Sequence, residues 1–193
     1  MADEDALAKR GKSLEEEYFR RKDRELIEKM RETAEAEKAR GDMARQTGLA
    51  DPALLAQLQE LGFTPETVSL LPLFPVLEMA WEEGDVTSAE RDLLIQLARS
   101  RGIQDNSVAG RQLEQWMAHR PQPAVFERAR RLIGAMLSSG TEGLSATLNA
   151  DDLVDYCEKI AAASGGLFGI GRVSTSERAL LNRIASDLKT RKI

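Results

Sequence analysis

Glu82, Glu83 and Asp85 crowd a single short stretch, and Glu90 follows five residues after Asp85. Carboxylate oxygens gathered this way are the ligands that Ca²⁺ or Mg²⁺ takes. The stretch lacks the full alternating donor series of an EF-hand loop. Thr87-Ser88-Ala89-Glu90 also reads as a capping box, in which the hydroxyl and the carboxylate satisfy backbone N–H groups at the start of a helix. A turn and a cap account for these acids without a metal, so no metal site is expected. Gly165, Gly166, Gly169 and Gly171 have the density of a phosphate cradle. No lysine follows in the P-loop position and no strand precedes, so an interhelical loop is expected, with Leu167, Phe168 and Ile170 folded onto the core or touching a partner. His119 is the only histidine and Cys157 the only cysteine, which excludes a Cys/His zinc set and an internal disulfide. His119 is read as stabilising a helix C-terminus. Cys157, Trp81 and Trp116 are read as core residues. With no nucleophile–base set and no cofactor motif, neither catalysis nor a cofactor is expected.

Tyr18 and Phe19 have no part in that chemistry. They lie between Glu15-Glu16-Glu17 and Arg20-Arg21-Lys22. From Asp3 to about Gln46 there is no proline, and Glu, Lys, Arg and Ala dominate. These are strong helix formers. Glu17 with Arg21 and Glu25 with Lys29 stand at ion-pairing spacing, whereas Glu28 with Glu32 is a like-charged exception. The apolar stripe is thin: Leu7, Leu14, Tyr18, Phe19, Leu26, Ile27 and Met30, fading into Ala34, Ala36 and Ala39. Such a helix has little to bury against its own domain. An arm over residues 1–46 is therefore expected, frayed when free and ordered by a partner. A solvated charged helix explains the composition, but it gives no role to adjacent aromatic rings.

Lys9-Arg10, Glu15-Glu16, Tyr18-Phe19-Arg20 and Arg24-Glu25, with Ile27 and Met30 at the apolar positions, follow one another in an order that resembles the inhibitory segment of the mitochondrial ATP synthase inhibitor protein family. The resemblance implies a helix that enters a cleft between catalytic subunits of the rotary ATPase head during hydrolysis and stops rotation. On this reading Tyr18 and Phe19 form a broad aromatic edge. Phe19, Ile27 and Met30 act as helix-in-groove anchors. Glu15, Glu16, Arg20, Arg24 and Glu25 set register through charge. The mitochondrial proteins continue into a long coiled coil and sense pH with histidines. The arm here has no histidine and its heptad ends after Met30, so neither a histidine switch nor dimerisation through a coil is carried over.

The remainder, residues 47–193, reads as a compact all-α domain. Gly41 to Ala50 is taken as a hinge. Asp51-Pro52 opens a helix that stops at Gly62, and Thr64-Pro65 opens a central buried helix running to about Glu83, bent at Pro72 and Pro75. Further helices are expected from Thr87 to Gly102, over Ser107–His119 and Pro123–Leu137, and after Asn149, with a polar loop from Ser138 to Leu148 and a glycine-rich one from Ser164 to Gly171. Ser174-Thr175-Ser176-Glu177 is a second capping box. It belongs to a repeat: Val86 to Leu94 matches Val173 to Leu181, and Leu97-Ala98 matches Ile184-Ala185. Two helix-turn-helix units can then bury each other's apolar faces. The pattern resembles the TerB-like helical family of tellurite resistance. That family often carries an acidic Asp-Gly turn linked with metal, which the second copy here lacks.

The chain carries 27 Lys and Arg against 32 Asp and Glu, a net charge of -5, which argues against nucleic-acid binding. No basic start with an apolar run suggests a leader, and no apolar stretch reaches the ~20 residues of a membrane span. A cytoplasmic, bacterial-type protein is expected, at the membrane only through its partner. The first functional reading is an inhibitor of a rotary ATP synthase, with the catalytic head as partner. The alternative is a TerB-like stress-related helical adaptor or a metal-binding domain, its arm binding some other protein.

Overall fold

In the computed structural model, residues 2–139, 144, 148–163 and 173–189 are described, and every regular element among them is helical. The chain divides into two compact units, Met1–Ala39 and Arg40–Ile193. The predicted polar loop lies largely, and the glycine-rich loop with Leu167, Phe168 and Ile170 wholly, outside the described residues.

Helix α1 runs from Ala2 to Thr47 and supplies nearly all of the first unit. Its last two turns belong to the second. The stretch read as a hinge is therefore helix through Thr47. Burial explains this: Met43, Thr47 and Leu49 are all covered by the second unit, which outweighs the ~1 kcal/mol that Gly41 costs a helix. The helix stops at Gly48, whose N–H still donates to the Ala44 carbonyl at 2.9 Å and whose φ of 75° then turns the chain out of the helix.

The second unit continues through α2 (Pro52–Glu60), a 3₁₀ segment (Val68–Leu73), α3 (Phe74–Ala80), α4 (Ser88–Ser100), α5 (Val108–Ala118), α6 (Pro123–Ser139), α7 (Ala150–Ala163) and α8 (Thr175–Lys189). Asp51 caps α2, accepting from the Ala53 amide at 2.8 Å. The single central helix expected from Thr64 is instead a turn, a 3₁₀ segment and the short α3. Thr64 and Thr67 tie the turn through the Thr64 amide, 2.9 Å from the Thr67 hydroxyl. Pro72 in an α-helix would clash with the Val68 carbonyl, whereas Pro75 sits in the first turn of α3, where its missing N–H is not needed. Burial matches the expectation, since Phe74 to Ala80 is buried at all but Glu78.

Both capping boxes form. The Thr87 amide donates to Glu90 Oε2 at 2.8 Å and the Glu90 amide to the Thr87 hydroxyl at 3.3 Å. The Ser174 amide donates to Glu177 Oε2 at 2.6 Å and the Glu177 amide to the Ser174 hydroxyl at 3.1 Å. The repeat closes on itself: α3 packs against α7, α4 also touches α7, and α8 touches α3. Helix α6 then lies across α3 and α8. Phe63, Phe74, Trp116 and Phe126 form a chain of tilted and edge-on rings, and Trp81 donates its indole N–H to the Trp116 carbonyl at 2.8 Å. Cys157 is buried among these helices, and burial pushes its thiol far above the ordinary range.

Candidate functional site

Helical geometry decides which arm residues can act together. At about 100° per residue, Phe19, Leu26 and Met30 fall within about 40° of arc, with Ile27 on one flank and Tyr18 on the other. All five are exposed, Phe19 at 59% and Met30 at 64%. They are five of the six large hydrophobic residues that are exposed among those described; the sixth, Val108, stands alone. Isolated exposed apolar residues are ordinary, but five gathered along one side of a single helix, with Asp23 between them, are not. Phe19 to Met30 spans about 16 Å along the axis, three helical turns.

Tyr18 and Phe19 meet edge to face, centroids 5.8 Å apart at 74°. Arg21 and Lys22 stand over the Tyr18 ring at 5.8 and 5.9 Å. Arg20 pairs with Glu16 at 3.5 Å, and Lys22 with Glu25 at 3.1 Å, in place of the expected Glu17–Arg21 and Glu25–Lys29 pairs. Arg24 donates from Nε to the Arg20 carbonyl at 3.3 Å. These contacts are solvent-exposed and contribute little stability, so the charges remain available to a partner. Glu15 sits among them, exposed. Leu26 belongs to the stripe as fully as Phe19 and was not among the sequence-derived binding residues. Plotting the segment at helical angles instead of matching a motif would have found it.

The acidic turn is a different kind of feature. Glu82 is half-buried, Glu83 and Asp85 are exposed, and Glu90 is 2% exposed with its carboxylate spent on the Thr87 amide and hydroxyl. Among the described residues no group of three or more acidic, His or Cys side chains is placed to hold a metal ion. Burial raises the Glu90 carboxyl above its ordinary range. Thr87 opposes the rise, and the nearby charges of Glu83 and Glu177 add to it. Of these acids, Glu90 is part of the machinery of a helix start. His119 ends α5, its amide donating to the Gln115 carbonyl at 2.8 Å.

One polar cluster had no sequence forecast. Arg130, 4% exposed, reaches from α6 to Glu78 on α3 and, through Nε at 2.8 Å, to Asp187 on α8. Burial works against its charge, but the hydrogen bonds it donates to the two carboxylates, with their negative charge, outweigh it and hold the guanidinium above its ordinary value. The visible signal was a lone cation on the otherwise apolar face of Phe126, Ala129 and Ile133.

No helix among the described residues is long and apolar enough to cross a membrane. No protein-family model, no curated protein and no solved structure matches the chain, so the two resemblances rest on the residues that carry them.

Proposed function

We propose that this chain is a protein inhibitor of a rotary ATP synthase, acting through α1. The observation that carries the reading is the exposed stripe of Tyr18, Phe19, Leu26, Ile27 and Met30. It coincides with the segment whose Glu15-Glu16-x-Tyr18-Phe19-Arg20 core resembles the mitochondrial inhibitor family. In this mechanism the stripe enters a cleft of the catalytic head as an amphipathic helix in a groove. Each large side chain so buried contributes roughly 1.5–3 kcal/mol. Glu15, Glu16, Arg20, Arg24 and Glu25 then speed encounter and fix register by charge complementarity. The chain supplies no chemistry; it blocks a moving part. The helical domain anchors or recruits the complex.

The alternative is the TerB-like helical adaptor, favoured by the closed repeat of α3–α4 with α7–α8. One titration separates the two. ATP hydrolysis by the purified catalytic head of the source organism is measured against full-length protein and its Phe19→Ala variant. The inhibitor reading expects inhibition during turnover, weakened roughly tenfold to a hundredfold by the substitution. No inhibition by the intact protein leaves the adaptor reading in place.

A further inference from the structure

The two halves of the repeat differ in what covers them. Its register pairs Leu93 with Leu180, Leu97 with Ile184 and Ser100 with Asp187. On α8 this face is covered: Leu180 and Ile184 are buried and Asp187 holds Arg130 of α6. Gly134 brings α6 close enough that a Cβ there would stand 3.1 Å from the Asp187 carbonyl. On α4 the same face lines an open trough of about 260 Å³, completed by Val76 of α3 and by Tyr156, Lys159 and Ile160 of α7. The groove that α6 fills in one half is empty in the other. Its volume is below the roughly 300–1,000 Å³ that encloses a small-molecule ligand. An open apolar trough of that size suits the anchor side chains of a helix.

The chain carries a helix of the matching pattern. Helix α6 presents Phe126, Arg130, Ile133 and Leu137, and the arm presents Phe19, Asp23, Leu26 and Met30 at the same intervals. The charge in this pattern is reversed, and so is the charge of the groove. The groove under α6 offers Glu78 and Asp187 to a guanidinium. The open groove has Ser100 in place of Asp187 and Lys159 at its rim. The Lys159 ammonium rests 5.0 Å from the Tyr156 ring centroid, with no ion-pair partner among the described residues. Arg101, next along from Ser100, interacts with Tyr156 and Asp152, and its buried Nε has no hydrogen-bond partner. A carboxylate at position 23 fits this groove where an arginine would not.

We infer that the α3–α4–α7 groove receives the arm of a second copy of this chain, Phe19, Leu26 and Met30 entering as α6 does in the other half and Asp23 meeting Lys159. An arm so held is withheld from any other partner, so self-association regulates the stripe. The inference concerns the stripe's receptor in this chain and stands apart from the ATP synthase reading.

The test is sedimentation equilibrium of the full-length protein over a wide concentration range, with Asp23→Lys, Lys159→Glu and the double variant. Both positions are exposed, and thermal unfolding by circular dichroism confirms that each variant is folded. The expected result is a reversible dimer, weakened at least about tenfold by either single substitution and restored when the charges are exchanged together. A protein that stays monomeric throughout leaves the groove to a helix of another protein and overturns the inference. A dimer indifferent to both single variants, or not rescued by the double, places the interface elsewhere and overturns it too. Neither result touches ATP hydrolysis, so the inhibitor reading stands or falls separately.

Discussion

The arm and the helical domain are built from the same helix-forming residues and treat their apolar side chains in opposite ways. In the domain, α3 is covered on nearly every face and even its charges are consumed, with Glu78 bound to the buried Arg130. On the arm, Phe19, Leu26 and Met30 stand in solvent and the ion pairs around them are exposed. Burial fixes a helix in place, while exposure of large apolar groups leaves free energy to be gained on binding. The difference gives stability to one region and, on the function proposed above, recognition to the other, and substitutions should sort accordingly.

The largest effect belongs to Arg130. Arg130→Ala strands Glu78, 12% exposed at its side chain, without its cation. Breaking a buried pair from one side costs about 3–5 kcal/mol. Denaturant unfolding should show a loss of this size, and replacing Glu78 with Leu and Arg130 with Met together should recover much of it. A loss below about 1 kcal/mol would show that the three helices are held by apolar packing alone.

Next comes a pair of glycines in which one substitution has two signs. A Cβ on Gly110 would stand 2.5 Å from the Asp105 carbonyl oxygen, because the start of α5 is pressed onto that loop. Gly110→Ala should cost about 1–3 kcal/mol through overpacking. A Cβ on Gly41 would meet only the Arg45 side chain, at 4.0 Å. Gly41→Ala in α1 should stabilise by about 0.5–1 kcal/mol. If both destabilise, residues 40–47 are packed more tightly than the static geometry shows.

What the sequence made legible follows from range. Asp51, Thr87, Asn149 and Ser174 cap helices through bonds spanning two or three residues, so local spacing identified these four starts, although the same signal at Thr64 opens only a turn. The repeat was visible because its register is written in consecutive residues. The end of α1 was not, because Met43 is buried by elements distant in the chain, and a glycine at position 41 looks the same with or without that burial. Arg130 joins residues 52 and 57 positions away, beyond any local pattern. Whether a groove between α4 and α7 is filled depends on where α6 lies, which only the assembled fold decides. For the arm, the motif named most of the stripe but passed over Leu26, since a match by residue type ignores helical angle.

A smaller effect tests the capping boxes through pH. Glu90 titrates above the ordinary carboxylate range in the folded state because it is buried, with Glu83 and Glu177 adding to the rise. The unfolded chain lacks that displacement, so the folded state binds the proton more tightly. Ionised Glu90 therefore costs stability at neutral pH, and the cost is relieved as pH falls through the folded value. Asp105 and Glu66 are displaced downwards and act in the opposite direction. Comparison with Glu90→Gln cancels them, because glutamine can also close a capping box. The wild-type protein should gain stability relative to this variant as pH is lowered from 7 to about 5. A wild type that gains nothing on the variant, or loses ground to it, as pH falls would mean that Glu90 is solvated in the folded protein.

The smallest expected change is the one that most sharply separates the two regions. Removing a phenylalanine from a packed core costs about 3–5 kcal/mol. Phe19 is 59% exposed, with Tyr18 as its ring neighbour and charged residues to either side. At a protein concentration low enough to keep the chain monomeric, Phe19→Ala should leave the domain's unfolding midpoint within about 0.5 kcal/mol of wild type, as a surface substitution does. The same variant should lose most of its grip on whatever binds the stripe. A midpoint shift above about 1 kcal/mol would place Phe19 in a packed interface of the free protein. The arm would then be a structural element of the fold, and the free energy assigned to recognition would already be spent on stability.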